Sequence, residues 1–194
     1  MTLDHQIQKR EAYIVVDVEA SGPNPSQYAL LSIGACTVEE PRQTFYIELR
    51  PDRKAFTAEA MTVNGLSLER LRAEGAPPAE AMRAFAEWVV QVVPQDASPV
   101  FTAFNAAFDW MFVNDYFHRY MGYNPFGHTA LDMKAYYMGL HGVFWAETSH
   151  AQMGKRYGVK EELSHHALDD ALDEAELLQA MLGVQQIDLK EGVG

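Results

Sequence analysis

Apolar, β-branched residues first concentrate at residues 13–18, a strand pattern that Gly22, Pro23, Asn24 and Pro25 stop in a turn-rich loop. Further apolar runs at 29–38 and 44–49, with Glu40 and Pro41 between them, continue it as an antiparallel meander. Pro77 and Pro78 then open residues 79–93, where Met82, Phe85, Ala86, Val89 and Val93 recur at helical spacing until Pro94 closes an amphipathic helix. Beyond it strands and helices alternate: a strand at 99–104, an aromatic-rich helix at 108–120, a short strand at 130–133 and a short helix at 134–140. A last helix at 167–182 carries Leu168, Ala171, Leu172, Ala175 and Leu178 on one face. A meander followed by strand–helix units predicts an α/β fold with a mixed central sheet, three antiparallel strands and then parallel ones, flanked by helices.

At 194 residues, 48% of them hydrophobic, the chain suits one sizeable core rather than two. The pattern assigns residues 13–183 to that domain, 1–12 to a flexible N-terminal segment and 184–194 to a C-terminal tail. The 15 Lys and Arg against 27 Asp and Glu leave a formal charge of −12, which opposes coating of long nucleic acid through a basic surface. Small basic groups remain: Arg50 with Arg53 and Lys54, Arg70 with Arg72, and Lys155 with Arg156. They suit capture of a short or frayed end better than tracking along duplex, although each is more often simply a solvated surface feature. Cys36 is the sole cysteine, excluding an intramolecular disulfide, and its apolar surroundings predict a small buried residue. The polar N-terminus lacks a signal-peptide core, and no run approaches the roughly 20 apolar residues that span a bilayer. The expectation is a cytoplasmic protein with no membrane association.

Three segments carry candidate chemistry. Asp17 and Glu19 interrupt the first strand two residues apart, so both carboxylates project to one face, and hard divalent cations take such ligands. An exposed edge strand with two ordinary charges would read the same way. Asn105-Ala106-Ala107-Phe108-Asp109 follows the fourth strand, with Asp109 in a first helical turn where the dipole favours an acid; Asn105 as a plain N-cap is the blander account. His165-His166-Ala167-Leu168-Asp169-Asp170 opens the last helix, and acids and histidines at helix starts are commonplace. Among the aromatic residues of the 108–120 helix most must be core, leaving Phe108 as the one expected near a ligand. Phe144 and Trp145 fall in a segment, 141–150, that either covers the site or meets a partner.

Taken together and in this order, D-x-E on the first strand, N-x-x-F-D after the fourth and H-x-A-x-x-D opening the last helix resemble the DEDDh exonuclease family. That family includes proofreading exonuclease subunits, ribonuclease T and oligoribonuclease. The resemblance runs from about Tyr13 to Leu182 and includes Ser21 and Gly22 of the D-x-E-x-[ST]-G pattern. Residues 58–66, AEAMTVNGL, look like the family segment leading to a nucleotide-contacting turn. Ala20 stands where a hydroxyl residue is usual, and Asn64 where several members have histidine.

The resemblance implies a ribonuclease H-like fold and 3′–5′ hydrolysis of phosphodiesters at a free 3′ end of single-stranded or short RNA or DNA. It implies a two-ion mechanism with Mg²⁺ or Mn²⁺ and release of nucleoside 5′-monophosphates. It makes Asp17, Glu19, Asp109 and Asp170 the metal ligands and His165 the base, choosing Asp170 over Asp169 and His165 over His166. It places Ala20, Ser21, Gly22, Met61, Asn64, Asn105 and Phe108 at the substrate, with Val63 a further apolar candidate against the last base. Relatives include dimers, which allows a homodimer here. Two rivals stand beside it. A haloacid-dehalogenase phosphatase requires aspartate where this chain has Glu19, and a catalytically silent nucleic-acid-binding or scaffold domain of the same fold would keep costly acids without using them.

Overall fold

The computed structural model describes residues 10–191, with side chains for residues 10–183. Most of the N-terminal segment 1–12 and the last three residues of the 184–194 tail therefore lie outside the described residues. Strand β1 (Arg10–Ala20) starts three residues before the apolar run, and β2 (Leu30–Thr37) and β3 (Thr44–Glu48) follow as a meander. Three helices come next, α1 (Ala58–Asn64), α2 (Leu68–Glu74) and α3 (Pro78–Val92). Then come β4 (Ala97–Ala103), α4 (Ala106–Met121), β5 (Ala130–Asp132), α5 (Met133–His141), a 3-10 turn (Trp145–Glu147), α6 (His150–Tyr157) and α7 (Ala167–Glu191). Helices α1, α2 and α6 have no clear apolar period because they span barely two turns. Their starts are fixed by the side chains of Thr57, Ser67 and Ser149, which accept backbone N–H bonds.

The sheet order is β3-β2-β1-β4-β5. Strands β1, β2 and β3 pair antiparallel, whereas β4 and β5 run parallel to β1, giving the mixed sheet of a ribonuclease H-like fold. Alternation along β1 sorts its side chains between two cores. Ile14, Val16 and Val18 point to one, shared with Phe85 and Val89 of α3, Phe101, and Phe112 and Tyr116 of α4. Val15 points to the other, with Cys36, Met133, Tyr137, Ala171 and Leu178. Each fully buried phenylalanine contributes on the order of 2–3 kcal/mol of apolar burial, enough to anchor helices on both faces. Cys36 is buried as expected.

Two details place the chemistry. Pairing of β1 with β4 ends at Val15 opposite Thr102, so β1 runs on past its parallel neighbour and frees the later N–H groups on that side. Opposite Asp17 on β2 lies Gly34, where a Cβ would sit 2.2–2.3 Å from backbone atoms of Ala167 and Leu168. A glycine there admits the start of α7 against the sheet, and any side chain would push it away.

Candidate active site

One cleft of about 520 Å³ opens at the carboxyl ends of the parallel strands and is lined by Asp17, Glu19, Asp109, His165 and Asp170. Asp17 and Glu19 share the β1 face that looks toward α7. Asp109, 4% exposed in the first turn of α4, accepts the freed N–H of Val18 at 3.1 Å. Asp170, 2% exposed, is held from the preceding turn: its Oδ1 accepts Ser164 N–H at 2.6 Å and the Ser164 hydroxyl at 2.7 Å, and its Oδ2 accepts His165 N–H at 2.8 Å. That bond fixes His165 in the left-handed region, φ 59°, unusual for a non-glycine residue. Glu19, His165 and Asp170 each offer a ligand atom within 4.8 Å of the others.

The neighbouring alternatives go elsewhere. His166 stacks on the Tyr46 ring at 4.7 Å between centroids, and its Nδ1 lies 3.3 Å from the exposed Asp169. Neither His166 nor Asp169 lines the cleft.

The electrostatics are those of a site built for cations. Burial, then the charges of Asp109, Glu174, Glu19 and Asp170, push the Asp17 carboxyl well above its ordinary value. Burial followed by repulsion from Asp170 and Asp109 raises Glu19 to about 8. Asp109 rises to about 7, mainly by burial, although the Val18 N–H partly offsets it. The Oδ2 of Asp17 is buried with no hydrogen-bond partner among the described residues, a costly arrangement unless something binds there. Lys134 is the one lysine or arginine among the described residues lining the cleft.

Of the substrate residues expected from the sequence, Ala20, Gly22, Asn64, Asn105 and Phe108 line the cleft, as does Val63. Ser21 and Met61 do not. The Ser21 hydroxyl is spent inside the fold, donating to Ala55 O and accepting Ala29 N–H, each at 2.9 Å. Met61 packs against the small core of Ala29, Leu31 and Leu71. Asn64 is a strut as well as a wall, donating to Ala20 O at 3.2 Å and accepting Leu66 N–H at 3.0 Å. Asn105 occupies the cap position of α4 without a capping bond; its φ is 64°, and Asp132 accepts the Ala106 N–H in its place at 2.7 Å.

Glu174 was not singled out by motif. It is 1% exposed, one turn beyond Asp170, and accepts Phe104 N–H at 3.2 Å. Burial, then Asp109, raises its carboxyl well above the usual range. Its signal was available, since an acid four residues after Asp170 must share that residue's inward face.

A mixed α/β sheet of the ribonuclease H-like class with a buried acidic cluster at its carboxyl edge has the donor set for divalent cations, and the similarities to known proteins assign its class. The RNase T exonuclease family matches residues 14–178. The chain is 45% identical over 170 residues to the 3′–5′ DNA exonuclease Cap18 of Escherichia coli, covering 88% of this chain and 91% of that one. The protein therefore belongs to the DEDDh 3′–5′ exonuclease family. In fold it is similar to the nuclease domain of 3′hExo, a DEDDh family member solved bound to rAMP, with TM-score 0.75, 16% identity and coverage of 89% of this chain and 92% of that one. It is also similar to E. coli exonuclease I in complex with a dT13 oligonucleotide, with TM-score 0.69 and 17% identity over 94% of this chain; it spans 43% of that longer protein. No helix among the described residues is long and apolar enough to cross a membrane.

Proposed function

We propose that the protein removes nucleotides stepwise from the 3′ ends of single-stranded or short DNA, hydrolysing the terminal phosphodiester with two divalent ions and releasing nucleoside 5′-monophosphates. The observation that carries this is the partnerless, buried Oδ2 of Asp17 in a cleft into which three more carboxylates and His165 converge. Oxygen donors of this kind fit Mg²⁺ or Mn²⁺ better than zinc, and Asp17, Glu19, Asp109 and Asp170 would hold the ions. When bound, such ions acidify a water and stabilise charge on the leaving 3′ oxygen.

The chain's own residues do the remainder. His165 is exposed at the cleft wall and takes a proton from the attacking water through its imidazole, while its backbone N–H stays committed to Asp170. Val63 and Phe108 present apolar surface to the terminal base, and Gly22 and Ala20 keep the β1 end narrow enough for close backbone approach. Preference for DNA over RNA is taken from the named activity of the Cap18 relative. Every residue in this scheme comes from one chain, so it needs no second copy, and the homodimer that the resemblance allows plays no part.

The test uses a 5′-labelled and a 3′-labelled oligodeoxynucleotide with Mg²⁺ or Mn²⁺. Expected are a descending ladder from the first and a labelled mononucleotide from the second, both abolished by chelator and by Asp17→Ala. Tight binding of DNA without cleavage in either metal would instead favour the silent binding-domain reading, and faster degradation of the matching RNA would overturn the DNA preference.

A further inference from the structure

Beside the cleft, the connection between α5 and α6 presents two large aromatic side chains to solvent. Phe144 is 82% and Trp145 51% exposed, and neither joins a core, although the adjacent Val143 packs against one. The segment is nevertheless firmly built. Phe144 N–H donates to Glu147 Oε2 at 2.9 Å, and the hydroxyl of the fully buried Thr148 donates to Trp145 O at 2.8 Å. Two large adjacent aromatic rings carried to solvent on a capped backbone, with no apolar partner in the fold, make a surface suited to binding.

Lys134 connects this surface to the cleft. It lines the cleft, and its Nζ lies 4.4 Å from the centre of the Trp145 ring and 5.8 Å from that of Phe104, which also lines the cleft. It makes no ion pair among the described residues. An ammonium group between an acidic cleft and the half-exposed Trp145 ring, with exposed Phe144 one residue before it in the chain, matches a polymer with alternating anionic and aromatic groups. It matches an apolar protein partner poorly.

Resting on the exonuclease reading above, we propose that Lys134, Phe144 and Trp145 form a second subsite for single-stranded nucleic acid on the 5′ side of the terminal nucleotide. Lys134 holds a phosphate as the strand leaves the cleft, and the two rings stack on the bases that follow. Such a platform tolerates any base sequence, since every base has a flat face, but it requires unpaired bases. The consequence is an enzyme that prefers oligomers of several nucleotides over dinucleotides and single strands over blunt duplex.

The experiment compares kcat/KM for a thymidine decamer and a thymidine dinucleotide, in Mn²⁺, for the wild type and Phe144→Ala/Trp145→Ala. The ratio of decamer to dinucleotide is expected to fall about tenfold or more in the double variant. In Lys134→Gln, the dependence of log(kcat/KM) for the decamer on log[salt] should lose a slope of about 0.7, the loss of one phosphate contact on a single strand. An unchanged ratio overturns the proposal. So does an unchanged ratio accompanied by a shift from dimer to monomer in sedimentation, which would assign the rings to a second copy of this chain. If the wild type cleaves neither substrate, the exonuclease reading fails, and anisotropy of a labelled decamer decides the subsite separately: weaker binding by the double variant supports it and equal binding ends it.

Discussion

Stripping the protein of divalent ions and raising the pH should destabilise it by an amount that the acidic cleft sets. In the fold Asp109 is raised from 3.8 to about 7 by burial, so between those values the folded chain keeps a proton that the unfolded chain has released. A group whose folded value lies above its unfolded one costs nothing below the unfolded value and costs progressively more as pH rises to the folded one. At about 1.36 kcal/mol per unit, roughly three units give a loss on the order of 4 kcal/mol by pH 8. Glu19, raised to about 8, adds in the same direction, but Asp109 is among the causes of its shift, so the two are not summed. For a domain of this size such a loss lowers Tm by about 10 °C. The assay is thermal unfolding by circular dichroism in chelator from pH 5 to 8.5, repeated with Mn²⁺ and with Asp109→Asn. Because the cost between pH 3.8 and 5 is already present at the start of that range, about two units remain, and the metal-free wild type should lose about 7 °C over it, much of which Mn²⁺ should restore. Asp109→Asn should be the more stable protein at pH 8.5 in chelator, with little response to Mn²⁺. A metal-free Tm constant to within about 2 °C, or an asparagine variant less stable than the wild type at pH 8.5, would refute the reasoning.

His165→Ala should lower turnover by about 10² or more with its KM little changed, whereas His166→Ala, which loses a stack on Tyr46 and a contact with the exposed Asp169, should be mild in steady-state assays. Gly34→Ala should destabilise by several kcal/mol and reduce metal affinity measured by calorimetry, because its Cβ would displace the start of α7 and Asp170 with it. Glu174→Gln keeps an acceptor for Phe104 N–H while removing a buried charge, so its metal-free Tm at pH 8 should rise. Glu174→Ala, which leaves that N–H unpaired beside a cavity, should lose about 2–3 kcal/mol in urea titration.

The long apolar runs made most of the sheet and the helices α3, α4, α5 and α7 legible, because burial on one or both faces writes a period into the sequence. Helices α1, α2 and α6 were not, since two turns carry too few residues to display a period and their caps are single side chains. The metal-site candidates were recognisable only as a set. Asp17 and Glu19 are an ordinary pair until α7 is laid across β2, and that placement depends on Gly34, whose role is steric and invisible in a motif. Ser21 shows the converse: a residue in a family position whose hydroxyl is committed to the backbone of Ala55 and Ala29, tying separate segments together. Asn105 looked like a cap, but the fold gives the bond to Asp132, 27 positions along, which no local pattern could announce.

Docking of α7 last in chain order has a consequence for synthesis. A chain emerging from the ribosome presents Asp17 and Glu19 early, yet Asp170, His165 and Glu174 arrive only with that final helix. On the roles proposed above, the ligand set and the base are both incomplete until that helix closes over the sheet, so hydrolysis waits for the last part of the domain to be made.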